Sequence, residues 1–456
     1  MISPMTSSFR SLQRRVSGRL RMPGEAGFDA ASAAFNKRFA DMRASAVLSV
    51  AGVSDVVTAV RWARENGVPL TARGGGHSYA GASVNPGLVL DLRALNSIHI
   101  DPSTGLVTVG GGVRSGALYA ALERHGLALP LGNSDDVGIG GLTLGGGVSV
   151  VSRAYGLTCD RLISTDIVTV DGQVRTCDAE HEPDLFWACR GGGGGNFGVN
   201  VSFTFETRPA VDSSTCLLLW HWSEVHEVLA AAQGVMCQAP DEFSARIGAS
   251  RAPGEEGMVS MIGQHLGPAQ ELRKLLTPVL ATARPLRNEI TDCTYWGAKD
   301  FLHHETSGDP FAVRTRVAEG PLSAEGVTAA VKAVETWPGG TNPDGAGFAL
   351  FTWGGAINRI PVQDTAFPHR NAQFLVSMDT SWSTTDTPET VRENLRWLDR
   401  LHEDMGEFAT DASYANFADP DLPNWRSAYY GPNLARLEAV KRRYDPDRFF
   451  SYGQAV

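Results

Sequence analysis

Glycine, and the way it is clustered, is the feature of this sequence that most limits what it can fold into. Glycine accounts for 50 of the 456 residues, which is about 11% against about 7% in an average protein. Much of the excess lies in five runs, at 74–76, 110–112, 140–141, 145–147 and 191–195. The runs follow no collagen period, and clustered glycines in a folded chain mark places where the backbone closely approaches another backbone or a ligand. The sequence therefore predicts glycine loops that meet around a ligand.

Length, composition and charge indicate a globular protein of more than one domain that does not bind nucleic acid. A chain of 456 residues is long enough for two or more domains, and 43% hydrophobic with 20% charged residues is typical of a globular fold. Acidic residues outnumber basic ones by 50 to 40, which argues against nucleic acid or an anionic membrane as the partner. No apolar run approaches the roughly 20 residues of a membrane span. We expect a small molecule as the main partner; the sequence does not specify an oligomeric state.

Two further patterns bear on location and on metals. The six cysteines are scattered without C-x-x-C spacing, which is typical of reduced thiols in a cytoplasmic protein. His303 and His304 are adjacent, so their side chains point apart, and no third ligand is suitably spaced. We expect no metal site.

Hydrophobic periodicity indicates two kinds of structure along the chain. Up to residue 208 it predicts an α+β domain of short strands, in which a helix, a strand and a glycine loop occur twice, at 54–81 and 115–141. From residue 209 helices alternate with strands such as 311–317 and 373–379, which predicts an antiparallel sheet with helices on one face. The arginine-rich segment 10–21 lacks the apolar run of a signal peptide and is expected to form a frayed arm.

The first glycine loop carries the residues most suggestive of chemistry. Arg73 is followed by Gly74, Gly75, Gly76, His77 and Ser78. Such a run of backbone amides with almost no side chains can form a nest for a pyrophosphate. It is not a Walker loop, because no Gly-Lys-Ser/Thr follows, and its spacing is not that of the Rossmann fingerprint. A histidine inside a phosphate-binding loop is a candidate reactive group.

Several motifs together resemble one known family. The matching segments occur in the family's order and span nearly the whole chain, at 71–81, 137–147, 153–160, 184–198 and 430–454. On these segments the sequence resembles the berberine-bridge-enzyme-like oxidases, flavoproteins of the vanillyl-alcohol oxidase superfamily.

The resemblance implies an α+β fold with FAD bound by a domain in two parts. The N-terminal part spans residues 1–208, the C-terminal tail returns to it at 414–456, and a substrate-binding domain with a central antiparallel sheet lies between them at 209–413. In this family the histidine matching His77 carries the flavin through its 8α-methyl group. The cofactor-binding residues implied by the matching motifs are Arg73, Gly74, Gly75, Gly76, His77, Ser78, Ser134, Val137, Gly138, Gly141, Gly147, Asn196, Tyr430 and Asn433.

Two positions in the second glycine loop refine this expectation. Many relatives carry a second flavin tether, a cysteine four residues before the glycine that matches Gly138, and here Ser134 stands at that position. A serine hydroxyl is far less nucleophilic than a thiolate, so we expect covalent attachment through His77 alone and a structural role for Cys159. Val137 matches the position of an oxygen gate, and a β-branched residue there favours an oxidase.

The sequence offers several candidates for the catalytic base. The family often shows Tyr-x-Asn-Tyr before the tail, with the second tyrosine as base, but here Phe417 ends the motif and cannot accept a proton. Tyr414 and Asp136 are the candidate catalytic residues, and the alternative is a residue of the central strands around Arg314, Thr352 or Gln373. If the segment is a strand, Tyr414 and Phe417 face opposite sides.

These features predict an FAD-dependent oxidase that removes a hydride from an alcohol or oxidisable carbon and reduces oxygen to hydrogen peroxide. The missing cysteine tether and Phe417 favour a secondary metabolite as substrate. The alternatives are an oligosaccharide oxidase, a dehydrogenase with another electron acceptor, and a flavin-carrying protein without enzymatic activity.

Overall fold

The computed structural model describes residues 4–304 and 308–456, and its largest units are three mixed or antiparallel β-sheets. The first part of the chain contains a four-stranded sheet, a five-stranded sheet and a two-stranded ribbon. Its strands, in chain order, are β1 (Arg19–Arg21), β2 (Ala46–Ser49), β3 (Leu70–Arg73), β4 (Leu88–Asp91), β5 (Ile98–Asp101), β6 (Leu106–Gly110), β7 (Leu127–Ala128), β8 (Leu162–Val168), β9 (Val174–Cys177), β10 (Val199–Glu206) and β11 (Arg208–Pro209).

Helices connect these strands and return in the tail. The helices before residue 209 are α1 (Pro4–Gln13), α2 (Phe28–Ser32), α3 (Val53–Glu65), α4 (Ser115–Glu123), α5 (Ile139–Leu144), α6 (Ser152–Tyr155) and α7 (Pro183–Ala188). The central helices are α8 (Val225–Gln238), α9 (Ala269–Leu275), α10 (Thr277–Thr282), α11 (Tyr295–Phe301), α12 (Ala324–Glu335) and α13 (Pro388–Asp404), and the tail contains α14 (Trp425–Tyr430) and α15 (Leu434–Tyr444). Single 3₁₀ turns lie at Lys37–Phe39, Thr158–Arg161, Trp222–Glu224, Gly355–Ile357, Met405–Glu407 and Gly431–Asn433.

The four-stranded sheet positions the first glycine loop. Strands β2, β4 and β3 are parallel, and β1 pairs with β2 in antiparallel fashion. The crossover from β2 to β3 runs through α3, which buries Val56, Val60 and Trp62 against the sheet. Helix α3 ends before Gly67, whose φ of +62° is a backbone conformation that favours glycine. The chain therefore leaves β3 at Arg73 and enters the glycine loop at the end of a parallel strand.

The five-stranded sheet and the tail share a core. The sheet is antiparallel in the order β5-β6-β10-β8-β9. Its residues Phe203 and Phe205 pack in one cluster with Leu437 and Val440 of α15. The tail therefore belongs to the first domain, as the sequence predicted, and the α+β fold with a two-part FAD-binding domain is confirmed.

The central part forms one seven-stranded antiparallel sheet in the order β15-β12-β14-β13-β17-β18-β16. Its strands are β12 (Ser213–His221), β13 (Phe243–Arg251), β14 (Met258–His265), β15 (Arg287–Cys293), β16 (Phe311–Ala318), β17 (Ala346–Thr352) and β18 (Phe374–Ser381). Helices α8, α9, α10, α12 and α13 cover one face and bury a single large core. The predicted arrangement of helices on one face of an antiparallel sheet is correct.

The structure departs from the sequence predictions in three places. The predicted frayed arm is instead helix α1 followed by strand β1, because Phe9 and Leu12, three residues apart, are buried against α3. The hydrophobic pattern at 270–281 predicts one helix, but the structure has two, with Pro278 in the first turn of the second. The sequence did not predict strands β12 to β15. Among the described residues, no helix combines the length and the apolar character needed to cross a membrane.

Candidate active site

The two predicted glycine loops touch through their backbones. A Cβ on Gly75 would lie 2.2 Å from the backbone nitrogen of Gly138, and a Cβ on Gly138 would lie 2.2 Å from that of Gly75. Distances this short exclude any side chain at either position. Gly76 has a φ of +82°, which only glycine adopts readily. These glycines are therefore required by the protein's own packing, whatever binds beside them.

The first loop nevertheless fits an anionic ligand. In the described part of the chain, no backbone carbonyl accepts a hydrogen bond from the N–H groups of Gly75, Gly76 or Ser78. Unpaired amides in a glycine loop form the kind of nest that holds phosphate oxygens. Arg73 braces the loop, because its Nη1 donates to Ala31 O at 2.7 Å, and Ser78 Oγ accepts from Ala82 N at 3.0 Å.

Other glycines border empty space. A Cβ on Gly141 or Gly195 would meet nothing within 4 Å, and Gly141 is exposed although it lies in helix α5. Gly195 also lines a small cleft, together with residues 70–72 of β3 and residues 450–452 of the tail. The bare glycine surfaces and the unpaired amides fit the pyrophosphate of an FAD, which needs hydrogen-bond donors and a close approach to the backbone.

His77 lies at the end of the loop nearest the central sheet. Its ring stacks on Phe35, with centroids 3.8 Å apart and planes 23° apart, and Tyr79 lies 5.9 Å away. Burial lowers the pKa of His77, partly opposed by the negative charge of Asp136. The imidazole is therefore neutral at physiological pH, which is the form in which a ring nitrogen can act as a nucleophile.

The second loop places its candidate residues in different surroundings. The Asp136 side chain is 71% exposed, and its Oδ1 accepts a hydrogen bond from Arg114 Nη1 at 2.7 Å. Ser134 and Val137 are partly exposed, and the Val137 carbonyl anchors the loop by accepting from Ser115 N at 2.9 Å. A carboxylate that is mostly in solvent and paired with an arginine has little reason to accept a substrate proton, so this geometry disfavours Asp136 as the base.

The predicted residues Asn196, Tyr430 and Asn433 hold the tail in place. Asn196 is fully buried, its Oδ1 accepts from Val456 N at 3.0 Å, and its carbonyl accepts from Lys441 Nζ at 2.5 Å. Tyr430 lies beside Asn196, and Asn433 Nδ2 donates to Val362 O at 2.9 Å. Gly147 likewise donates to a tyrosine of the tail segment. The contacts of these residues are with the protein, so their part in cofactor binding stays a prediction.

Tyr414 is buried, and its hydroxyl oxygen accepts three hydrogen bonds. Its Oη accepts hydrogen bonds from Gly147 N at 3.0 Å and Val148 N at 3.2 Å, and from Asn416 Nδ2 at 3.2 Å. Burial raises the pKa of Tyr414 to about 12, and these donors only partly oppose the rise. The residues 414–417 form a turn and not a strand, so the Tyr414 and Phe417 rings adjoin with centroids 5.4 Å apart and do not face opposite sides. A tyrosine in this setting is a poor base.

The face of the central sheet opposite the helices carries Asp379 and Arg246, two charged residues that the sequence did not single out. We call it the inner face; it is formed by alternate residues of neighbouring strands, namely Ser244, Arg246, Gly248 and Ser250 on β13, Gly347, Ala349 and Phe351 on β17, Leu375, Ser377 and Asp379 on β18, and Phe311, Val313 and Thr315 on β16. The face meets the first domain where Phe311 packs against Tyr79 and where Phe351 packs against Phe417.

Asp379 lies close enough to Arg246 and to Tyr79 for their charges to interact. Each retains exposed surface, yet burial raises the pKa of Asp379 to about 6 and the pKa of Tyr79 to about 12. Burial also lowers the pKa of Arg246, and the positive charge of Arg246 draws the pKa of Asp379 down in turn. These half-buried groups lie where the inner face meets the first domain, so a ligand bound there can contact them. Of the strand residues considered from the sequence, Thr352 and Gln373 lie away from this region, and Arg314 pairs with Asp399 and Asp419.

Cys159 is structural, as expected. Its side chain is fully buried, and burial raises its pKa well above the ordinary value of a thiol. All six cysteines are free in the structure.

Comparison with known proteins identifies the family. Residues 44–178 match the FAD binding domain family, and residues 413–456 match the family described as berberine and berberine like. The chain is 34% identical, over 88% of both sequences, to the uncharacterised FAD-linked oxidoreductase YgaK of Bacillus subtilis. It is similar in structure to Physcomitrella patens BBE-like 1, with 28% identity and a TM-score of 0.89 over 98% of both chains. It is also similar to a chitooligosaccharide oxidase, with 25% identity and a TM-score of 0.87 over 99% of both chains.

The fold and the glycine-rich site define a flavin-dependent oxidoreductase. The chain belongs to the berberine-bridge-enzyme-like family of FAD-linked oxidoreductases, as its motifs indicated. It is therefore an enzyme with FAD as its cofactor, and the alternative of a non-enzymatic flavin carrier is set aside.

Proposed function

We propose that this protein is an oxidase that converts a hydroxyl-bearing carbon of a small molecule to a carbonyl, with FAD attached through His77 and Asp379 as the base. The observation that carries this proposal is the position of Asp379. Asp379 is a carboxyl group of the inner face, and its charge acts on Tyr79, which is two residues from His77 in the chain.

The choice of Asp379 over the other candidates rests on pKa and access. A base must be ionised at the working pH and must reach the substrate. A pKa of about 6 leaves Asp379 ionised at pH 7 and still basic enough to accept a proton. Tyr414, with a pKa of about 12, is protonated and occupied by three donors, and Asp136 is in solvent.

The remaining residues position the reactants. His77, stacked on Phe35, holds the covalent link at the edge of the inner face. Phe417 and Tyr79 stack with centroids 5.3 Å apart and form the aromatic wall opposite the sheet. This wall excludes water, which strengthens the electrostatic interactions of Asp379. Bound FAD supplies the hydride acceptor. The substrate loses a hydride from carbon and a proton from its hydroxyl to Asp379, and oxygen takes up the two electrons and two protons as hydrogen peroxide.

Two substrate classes are supported by different observations. The aromatic residues Tyr79, Phe351 and Phe417 suit a flat secondary metabolite, which is the class that the sequence favoured. The small and hydroxylated residues of the inner face, such as Gly347 and Ser377, suit a sugar, and a structural neighbour is a chitooligosaccharide oxidase. A cytoplasmic location stays a prediction.

The test is anaerobic mixing of the purified holoenzyme with a panel of sugars and phenolic alcohols while flavin absorbance is recorded. We expect a member of the panel to bleach the flavin, and Asp379→Asn to slow the bleaching about 10²- to 10⁴-fold, which is the usual contribution of a general base. Admission of oxygen should restore the colour with one hydrogen peroxide per turnover. Slow reoxidation by oxygen but fast reoxidation by a quinone would indicate a dehydrogenase.

A further inference from the structure

Arg246 is half-buried and has no ion-pair or hydrogen-bond partner among the described residues. Its guanidinium lies over the Phe351 ring at 6.0 Å. Arginines of β16, the edge strand of the same sheet, differ: Arg314 pairs with Asp399 and Arg316 pairs with Asp411. A guanidinium that is partly removed from water and has no anion beside it can pair with an anionic group of a ligand.

Arg246 lies on the same face of the sheet as Asp379. Register places Arg246 opposite Phe351 on β17, and Phe351 opposite Leu375 on β18, whereas Asp379 lies four residues farther along β18. The two Cα atoms are therefore separated by two strand spacings and four residues, which is roughly 10 Å across the sheet and roughly 13 Å along it. The two charges still interact, since each shifts the pKa of the other.

The floor between these two residues is open. The row of paired residues between them consists of Gly248, Ala349 and Ser377. At Gly347, which pairs with Asp379, a Cβ would lie 2.5 Å from Ala249 O, so no side chain can stand there. A ligand can therefore extend along the inner face with one end at Asp379 and the other at Arg246.

We propose that Arg246 binds a carboxylate of the substrate and thereby places a hydroxyl-bearing carbon beside Asp379. The proposal rests on the proposed function and adds a substrate class, a hydroxy acid whose carboxylate is several bonds from the oxidised carbon, as in a uronic acid. A planar guanidinium pairs with a carboxylate through two parallel hydrogen bonds. One guanidinium balances one carboxylate, whereas a phosphate dianion would bring an uncompensated charge onto the same sheet face as the Asp379 carboxylate.

Binding can be measured apart from turnover. Holoenzyme reduced with dithionite cannot accept a hydride, so calorimetric titration under anaerobic conditions at pH 8 reports binding alone. The probes are D-glucuronate and D-galacturonate, with D-glucose and D-galactose as their neutral counterparts and glucose 6-phosphate as the phosphate probe. We expect each uronate to bind at least tenfold more tightly than its neutral sugar and more tightly than the sugar phosphate.

Substitutions test whether Arg246 is the cause. Arg246→Gln should weaken uronate binding about 10- to 100-fold, the range given by one charge-assisted interaction, and should change glucose binding less than twofold. Arg246→Lys should restore part of the uronate preference. Arg251→Gln, on the same strand but bound to Glu255 O and Glu335 O outside the inner face, is the matched control. Flavin content and thermal unfolding show that each variant is folded.

Each outcome decides the matter. A uronate preference that Arg246→Gln abolishes supports the proposal. Undetectable uronate binding, equal binding of uronate and neutral sugar, tighter binding of the phosphate probe, or an equal effect of Arg246→Gln on both overturns it. Uronate binding that depends on Arg246, without flavin reduction by any alcohol, would overturn the proposed function and not the carboxylate site. Flavin reduction by neutral alcohols that depends on Asp379, without a preference for acids, would overturn the carboxylate site and leave the proposed function standing.

Discussion

Gly75 and Gly138 lie so close that a Cβ on either residue would be 2.2 Å from the other's backbone nitrogen. The contact joins two loops that follow separate helix-and-strand units, and it fixes the position of His77 relative to the second loop. The glycines at this site are therefore of two kinds, those that pack against backbone and those, such as Gly141, that face empty space.

The two kinds should respond differently to alanine. Gly138→Ala forces backbone against backbone, and we expect a loss of at least about 3 kcal/mol of folding free energy or no soluble protein. Gly141→Ala adds a methyl group where nothing lies within 4 Å, so the change in stability should stay below about 1 kcal/mol, while flavin content falls. Urea unfolding and the ratio of absorbance at 450 nm to that at 280 nm measure the two effects. Full flavin content in Gly141→Ala would show that α5 does not border the cofactor.

His77→Ala should release the flavin from denatured protein. The imidazole is the expected tether, and Ser134 offers no thiolate as a second one. After acid precipitation we expect yellow pellet from the native protein and from Ser134→Ala, and colourless pellet from His77→Ala. Colour that remains in the His77→Ala pellet would reveal another covalent link.

The rate of flavin reduction should increase with pH. Asp379 accepts a proton only when ionised, so a pKa of about 6 predicts a rise between pH 5 and 7 and a plateau above. Arg246 lowers this pKa and Asp344 raises it, so Arg246→Gln should move the midpoint upward. Asp379→Asn should remove the inflection, whereas Asp300→Asn, an exposed carboxylate on α11, should keep it. An inflection that persists in Asp379→Asn would assign the base elsewhere.

Tyr414→Phe should lower the free energy of unfolding and leave the pH dependence of flavin reduction unchanged. The change removes the acceptor of two backbone N–H groups, those of Gly147 and Val148, and unpaired buried donors cost about 1–3 kcal/mol. We expect a lower unfolding midpoint in urea and an unchanged pH profile for flavin reduction. A pH profile altered as strongly as in Asp379→Asn would instead make Tyr414 the base.

Val137→Leu should slow reoxidation selectively. Val137 lies in the loop that contacts Gly75 through Gly138, and a longer side chain there should obstruct oxygen. Stopped-flow mixing of the reduced enzyme with oxygen should show slower reoxidation, while anaerobic reduction by substrate changes less than twofold. Val137→Ala is the control, since a smaller side chain leaves the path open. Equal reoxidation rates in native protein and Val137→Leu would remove the gate assignment.

The sequence predicts those parts of the fold and the site that depend on the spacing of residues close together in the chain. Each glycine loop, His77 and each helix beside the antiparallel sheet can be read from a short stretch of neighbouring residues. Asp379 ended a predicted strand, but nothing local distinguishes it from any other exposed aspartate. Its meeting with Arg246 depends on the register of β13, β17 and β18, which periodicity does not specify when a face consists of small residues.

The motif at residues 414–417 predicts a catalytic tyrosine that the structure does not favour. The Tyr414 segment matched a motif, and the motif drew attention to its tyrosine, whereas the structure shows the tyrosine bound to the glycine loop at Gly147. The segment 10–21 was misjudged for a different reason. Its arginines suggested an arm, and the two apolar residues that anchor α1, Phe9 and Leu12, are too few to give a strong period.

The tail that returns to the first domain has a consequence for synthesis on the ribosome. Lys441 donates to the carbonyl of Asn196, 245 residues earlier, and at about 5–20 residues per second the ribosome needs roughly 12–50 s to bridge that interval. Until then the nascent FAD-binding half lacks α14 and α15, with Phe203 and Phe205 only partly covered. The core of the FAD-binding domain is therefore completed only after translation has passed the entire substrate domain.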